Sequence, residues 1–436
     1  MKKLITLVML AALSVSLFGC SAMDALKRVE LPPLPTPRAQ ETAEETPVPT
    51  AESVVAPTPE SKLPEHVVVG IRRTENDCYD PENGTVKILA FSYDTPEVYI
   101  EGREAATEAV NEYIARLDET YVTGNDYGVG TSDGMNILLE MAQDNYTVAK
   151  ENHLDIPLEF ASDRSARTAR LDAKCLNIIF TGYLYTGGAH GNYGDTAYVF
   201  DAESGEPLTL DKLSGDTAAL TAYLAGELER LRTEDKEGYF SERITEDYFI
   251  DTTPAQALAA LVRDGAWYFD NEGMCVFSTP YEIAPYASGI VEFHIPYASL
   301  SGHIDAKWLP EERTGEGKLS VLYASELENG STEVIDRVQA NENGAELAVL
   351  VEGSIYQVTL SKVEYSGSFY ETRRLWGCSY MKDCALQIAA DIPDGMPNLM
   401  LSFLDAAGTP HSLLLTQSGE DGSLILMQAD EIRAIG

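Results

Sequence analysis

The residues with chemical potential in this sequence are few and scattered. Residues 130–134 spell Gly-Thr-Ser-Asp-Gly, the letters of a nucleophile elbow that would expose Ser132 for attack. Such an elbow needs an apolar strand in front of it, and residues 123–129 are polar and glycine-rich. Ser132 therefore reads as a helix cap, and a serine hydrolase is the third-ranked reading. Six histidines, His66, His153, His190, His294, His303 and His411, form no i, i+4 pair and no HExxH motif. Seventy Asp and Glu residues bring acid pairs together by chance, so no pair argues for acid–base work. Asp77, Asp80 and Glu82 crowd one turn without the order of an EF-hand loop. Neither a phosphate loop nor a dinucleotide fingerprint occurs. No metal, no cofactor and no catalytic residue is expected.

Cysteine usage agrees with export. Of six cysteines, Cys20 follows a positively charged start and an apolar run over residues 4–18. That run is shorter than the roughly 20 residues a membrane helix needs, so it reads as a secretory signal. Leu17-Phe18-Gly19-Cys20 resembles a bacterial lipobox, which makes Cys20 the expected lipidated first residue of the mature chain. Five cysteines then remain. Cys175 and Cys275 sit in strand-like apolar runs and are expected to be buried. Cys378 and Cys384 are close enough in sequence to bridge across a hairpin, and their pairing stays open.

Residues 21–64 carry nine of the 21 prolines and no aromatic residue. Such a stretch cannot build a core and is expected to be an extended tether of up to ~3.1 Å per residue. The net charge of −39 and pI near 4.3 disfavour nucleic acid and anionic lipid and attract basic proteins and divalent cations; an acidic surface that keeps an exported protein soluble fits them equally.

The elements that must position any site follow from periodicity. Residues 65–101 alternate as strands. Residues 103–121 place Ala106, Val110, Ile114 and Leu117 on one helical stripe, and a second helix follows Gly134. Residues 171–185 and 196–200 read as strands, with a hairpin turn at Gly205. Residues 216–232 form an amphipathic helix. Another helix starts at Pro254 with Thr253 as its cap. Residues 267–269, 274–277 and 290–295 are strands. A polar stretch at 307–318 is taken as a boundary. Eight strand-like runs follow it, at 319–323, 345–351, 354–363, 369–376, 385–392, 399–404, 412–415 and 424–427, with no long helix among them. The fold class expected is α+β. Helices pack on a mostly antiparallel sheet over residues 65–306, and an all-β, sandwich-like domain follows over 318–436.

Three blocks carry a resemblance. They are residues 183–193 with Gly187-Gly-Ala-His-Gly191, the Phe200–Leu213 block, and residues 281–289 followed by His294-Ile-Pro-Tyr297. Together they resemble a family of extracellular domains found in RsiV-type anti-sigma factors and as the accessory region of a peptidoglycan deacetylase. In the RsiV-type members this domain binds lysozyme, so the resemblance implies a binding module. No deacetylase domain or sigma-binding segment is recognisable here.

On these grounds the leading expectation is a lipid-anchored protein at the extracellular face of the cell membrane. It would recognise a basic extracellular protein such as lysozyme, and nucleic acid is not expected as a partner. The candidate ligand-binding residues are Gly188, His190, Asn192, Tyr193, Tyr281 and Tyr286. Tyrosine supplies contact area at low entropic cost, and the glycines also fit a tight bend between strands. The second reading is a cell-wall-associated structural or assembly protein acting through its C-terminal β domain.

Overall fold

The computed structural model describes residues 66–124, 134–154, 159–244, 249, 252–327, 332–341, 344–392, 396–418 and 420–429. The signal and tether segments, Cys20 and Ser132 lie outside them. Two long strands open the fold, β1 (Val67–Tyr79) and β2 (Lys87–Ile100). Helix α1 (Glu104–Thr123) turns Ala106, Val110 and Ile114 inward and stops at Gly124, whose φ of 64° is the left-handed cap glycine accepts readily. Helix α2 (Met135–Glu151) follows, then β3 (Phe160–Leu171), β4 (Cys175–Tyr185) and β5 (Asn192–Asp201). The turn after β5 closes with Gly205 at φ 74°, as expected, but its return arm shrinks to a single bridge between Phe200 and Pro207.

The next stretch holds α3 (Leu210–Leu213), α4 (Thr217–Thr233), α5 (Tyr239–Arg243) and α6 (Pro254–Arg263). In α6 the expected cap is present: Thr253 accepts from the Gln256 amide and the Gln256 side chain returns to the Thr253 amide. A small antiparallel sheet, β6 (Trp267–Phe269), β7 (Gly273–Ser278) and β8 (Val291–Pro296), leads into α7 (Tyr297–Leu300). The remaining strands are β9 (Gly317–Tyr323), β10 (Glu333–Gln339), β11 (Ala345–Tyr365), β12 (Phe369–Ala390), β13 (Leu399–Leu404), β14 (Pro410–Gln417) and β15 (Leu424–Gln428).

The fold is α+β, with a large, mostly antiparallel sheet and a β-rich C-terminal region. The main sheet runs β15-β14-β13-β11-β12-β1-β2-β3-β4-β5, with β9 beside β11 and β10 beside β12. Runs expected as separate strands at 345–351 and 354–363 are one bulged strand, β11, and those at 369–376 and 385–392 merge likewise into β12. Strand β1 pairs with β12, Val68 opposite Cys378 and Gly70 opposite Trp376, so the sheet is hydrogen-bonded across both sides of the polar 307–318 stretch.

One face of β1–β5 packs Val67, Val69, Ile178 and Phe180 against α1. The other packs Cys175, Ile179 and Val199 against Leu220, Leu224 and Leu228 of α4, against α6 and against the small sheet. Each buried leucine there contributes about 1.5–3 kcal/mol of transfer free energy. Buried charges stitch the same layers. Asp94 is fully enclosed, accepts from the Ala166 amide at 2.9 Å, and faces Arg73 of β1 at 3.4 Å and Arg373 of β12 at 3.6 Å. Arg164 is held by Asp118 and lies over the Phe180 ring at 4.5 Å. Arg170 reaches Asp172, the Tyr297 hydroxyl and the Trp308 carbonyl.

Cys78, Cys175, Cys275, Cys378 and Cys384 are all free thiols, and Cys175 and Cys275 are buried as expected. Cys378 and Cys384 lie on one strand, β12, and not on opposite arms of a hairpin, so they do not face each other. Among the described residues no helix is long and apolar enough to cross a membrane.

Candidate functional site

Two loops build the site. The first, residues 186–191, joins β4 to β5. The second, residues 279–290, joins β7 to β8 of the small sheet. Gly187 and Gly188 hold φ of 98° and 100°, which only glycine adopts without strain, and this lets the first loop fold back tightly. The Tyr185 hydroxyl closes it by donating to the Gly188 carbonyl at 3.2 Å. His190 Nδ1 donates to the Gly191 carbonyl at 2.9 Å, since a carbonyl oxygen can only accept.

The second loop arrives against β5 at close range. A side chain at Gly194 would meet Thr279, and one at Gly289 would approach the Tyr193 hydroxyl. Tyr281 sits at φ 73°. For an aromatic residue that backbone conformation is an outlier costing of order 1–3 kcal/mol. It is held by the turn from the Tyr281 amide to the Ala284 carbonyl at 2.9 Å.

The loops meet ring to ring. His190 stacks on Tyr286 with centroids 3.9 Å apart. Tyr193 meets Tyr286 edge-on at 5.4 Å, and Tyr281 lies tilted beside it at 5.8 Å. Tyr183 stands directly across the β4–β5 ladder from Tyr193. Its ring packs where a Gly191 side chain would go. His190, Tyr183 and Tyr281 are exposed, and Tyr193 and Tyr286 are half-buried. Partial burial, then the neighbouring Tyr183 and Tyr281 phenols, raise the Tyr286 pKa above 10. Burial, Tyr286 and Asp195 do the same for Tyr193. These phenols therefore stay neutral donors at physiological pH.

Of the six residues the sequence singled out, His190, Tyr193, Tyr281 and Tyr286 converge on this patch. Gly188 shapes it through its carbonyl. Asn192 opens β5 opposite Leu184, half-buried, and brings no ring to the cluster. Tyr183 and Tyr185 were not singled out, although their i, i+2 spacing on one strand places them on the same face of the sheet.

Residues 214–298 match a family model described as a protein of unknown function, DUF3298. That span covers α4 through the end of β8, including Tyr281 and Tyr286, so a DUF3298 domain is present; the loop of His190 lies ahead of it. No curated protein matches the chain. Among solved structures, a DUF3298 family member from Bacteroides fragilis NCTC 9343 is similar over 55% of this chain and 94% of its own, with 18% identity and a TM-score of 0.40. A DUF3298 family protein from Pseudomonas aeruginosa PAO1 is similar over 56% and 97%, with 18% identity and a TM-score of 0.35.

Proposed function

We propose that this protein is a non-catalytic, extracellular binding module, tethered by lipid at Cys20, that recognises a basic protein through the aromatic patch. The supporting observation is the convergence of Tyr183, His190, Tyr193, Tyr281 and Tyr286 from two loops and two sheets. Exposed tyrosines set on a rigid frame form the kind of surface on which binding energy concentrates. A lysine or arginine of a guest placed over a tyrosine ring gains about 0.5–2 kcal/mol. The strained turn at Tyr281 is in keeping with a recognition loop, since such strain gathers where a side chain must be presented.

The formal charge of −39 supplies the second half of the reading, because it draws cationic proteins from a distance. Lysozyme, small and basic, is the concrete candidate. Retention of the chain on immobilised lysozyme at low and at moderate salt is the test. Failure at both salts removes that partner. Retention left intact by Tyr286→Ala removes the patch as the contact surface.

A further inference from the structure

One face of the small sheet, buried at Tyr268 and Cys275 and exposed at His294, carries a second constellation that no sequence motif announces. Strands β7 and β8 set Cys275 directly opposite His294, and Glu292 lies two residues before His294 on the same side. The Cys275 thiol, a Glu292 carboxylate oxygen and a His294 ring nitrogen all lie within 4.8 Å of one another. Tyr268 of β6 completes the row across the three strands.

The neighbours of these groups leave one atom of each facing a common point. His294 Nδ1 is 3.0 Å from Asp270 Oδ2, and a carboxylate can only accept, so Nδ1 carries the hydrogen. Asp270 is fixed through its other oxygen by the amides of Glu272 at 2.8 Å and Gly273 at 2.7 Å. This frees Nε2, which points at Glu292 Oε2 across 3.9 Å. Glu292 Oε1 is already engaged by the Tyr268 hydroxyl at 2.9 Å, with Arg167 at 3.9 Å. A carboxylate that orients a histidine so its far nitrogen meets an ion is a recurrent feature of metal sites. Two carboxylates, Asp270 and Glu292, flank the imidazole, and Arg167 beside Glu292 is shared with Asp195 at 3.0 Å.

We propose that Cys275, Glu292 and His294 bind a transition-metal ion, with Zn²⁺ the best fit and Asp270 orienting His294. One sulfur, one nitrogen and one oxygen suit zinc, at bond lengths of about 2.0–2.3 Å. Binding would convert the Cys275 thiol to a thiolate and release its proton to solvent. Three protein ligands would leave one tetrahedral position for water, and of the three residues Cys275 is buried and His294 exposed. The alternative role for the cluster is a simple ion pair, in which His294 bridges Asp270 and Glu292 and Cys275 is a bystander.

Cobalt(II) distinguishes the two. The full chain, stripped of metal and kept reduced, is titrated with Co²⁺ in the presence of excess Mg²⁺ to occupy loose carboxylate sites. The site predicts saturation at one equivalent, with a thiolate-to-cobalt charge-transfer band and the visible bands of a tetrahedral ion, and displacement by Zn²⁺. Cys275→Ser should abolish the thiolate band. His294→Gln, at an exposed position where folding is not at stake, should weaken binding at least tenfold, and Asp270→Asn by about 10–100-fold. Absence of a thiolate band in the unmodified chain, or titrations indistinguishable between it and His294→Gln, overturns the proposal.

Discussion

The His190 imidazole lies over the phenol ring of Tyr286, 3.9 Å between centroids and 26° from parallel. This contact joins a loop of the main sheet to a loop of the small one, so the patch exists only while both are seated. Removing either ring should loosen the other. In a double-mutant cycle of His190→Ala and Tyr286→Ala, urea denaturation should return a coupling of about 0.5–1.5 kcal/mol. Strict additivity would mean the stack is an idle contact.

Gly191 is buried beneath the patch, and a Cβ there would come within 2.5 Å of the Tyr183 ring. Gly191→Ala should therefore displace Tyr183 and cost about 1–3 kcal/mol. Thermal unfolding checks the cost, and near-ultraviolet circular dichroism checks the tyrosine movement. An unchanged spectrum and melting temperature would show that Tyr183 is not packed there.

Asp94 balances Arg73 and Arg373 where β1, β2 and β12 meet. Asp94→Ala removes the buried carboxylate that the two half-buried arginines share, leaving Arg73 held by Asp163. The expected loss is about 3–5 kcal/mol by denaturant unfolding. A loss below 1 kcal/mol would show that water reaches the site.

Glu371 offers a pH test. Burial alone would raise its pKa, but Arg374 and the hydrogen bonds from Arg374 and Ser361 outweigh that and hold it below the ordinary 4.5. The folded chain thus binds this proton less readily than the unfolded chain. Its ionised form contributes stability above pH 4.5, and that contribution fades as pH falls through the lowered value. Glu371→Gln should be less stable than the parent by about 1–3 kcal/mol at pH 7. The gap should close in acid, as followed by denaturant unfolding at a series of pH values. A gap that widens in acid would reverse the sign argued here.

Truncation after residue 310 would remove β12 and leave β1 an open edge, with Val68 stripped of its core. Such a chain should self-associate or unfold, seen as aggregation in size-exclusion chromatography. A monomeric, cooperatively folding fragment would contradict the role given to the β1–β12 pairing.

Helices α1, α4 and α6 were legible in the sequence because their apolar stripes and caps are local signals. Strand β3 was not. Its text, Phe-Ala-Ser-Asp-Arg-Ser-Ala-Arg-Thr-Ala-Arg-Leu, is mostly polar, yet Ser162, Arg164, Thr168 and Arg170 are buried beside Phe160, Ala166 and Leu171. Partners distant in the chain, such as Asp118 for Arg164 and Tyr297 for Arg170, help satisfy them, and no local pattern encodes that. Strand β10 was missed for a related reason: Trp376 of β12 donates to its Asp336 at 2.7 Å, so a carboxylate faces a core residue. The long β11–β12 hairpin read as four pieces because bulges at Val351–Ser354 and elsewhere shift the alternation by one residue. The loop of His190 stood out through its glycines. The Cys275–Glu292–His294 set did not, since ligands paired across strands have no characteristic spacing.

The most direct test of the account is calorimetric binding of lysozyme by the full chain and by Tyr286→Ala at two ionic strengths. The account predicts binding that tightens as salt is lowered, and a loss of about tenfold or more in the variant at both salts. Absence of binding by the parent chain, or equal affinity for parent and variant, would contradict it.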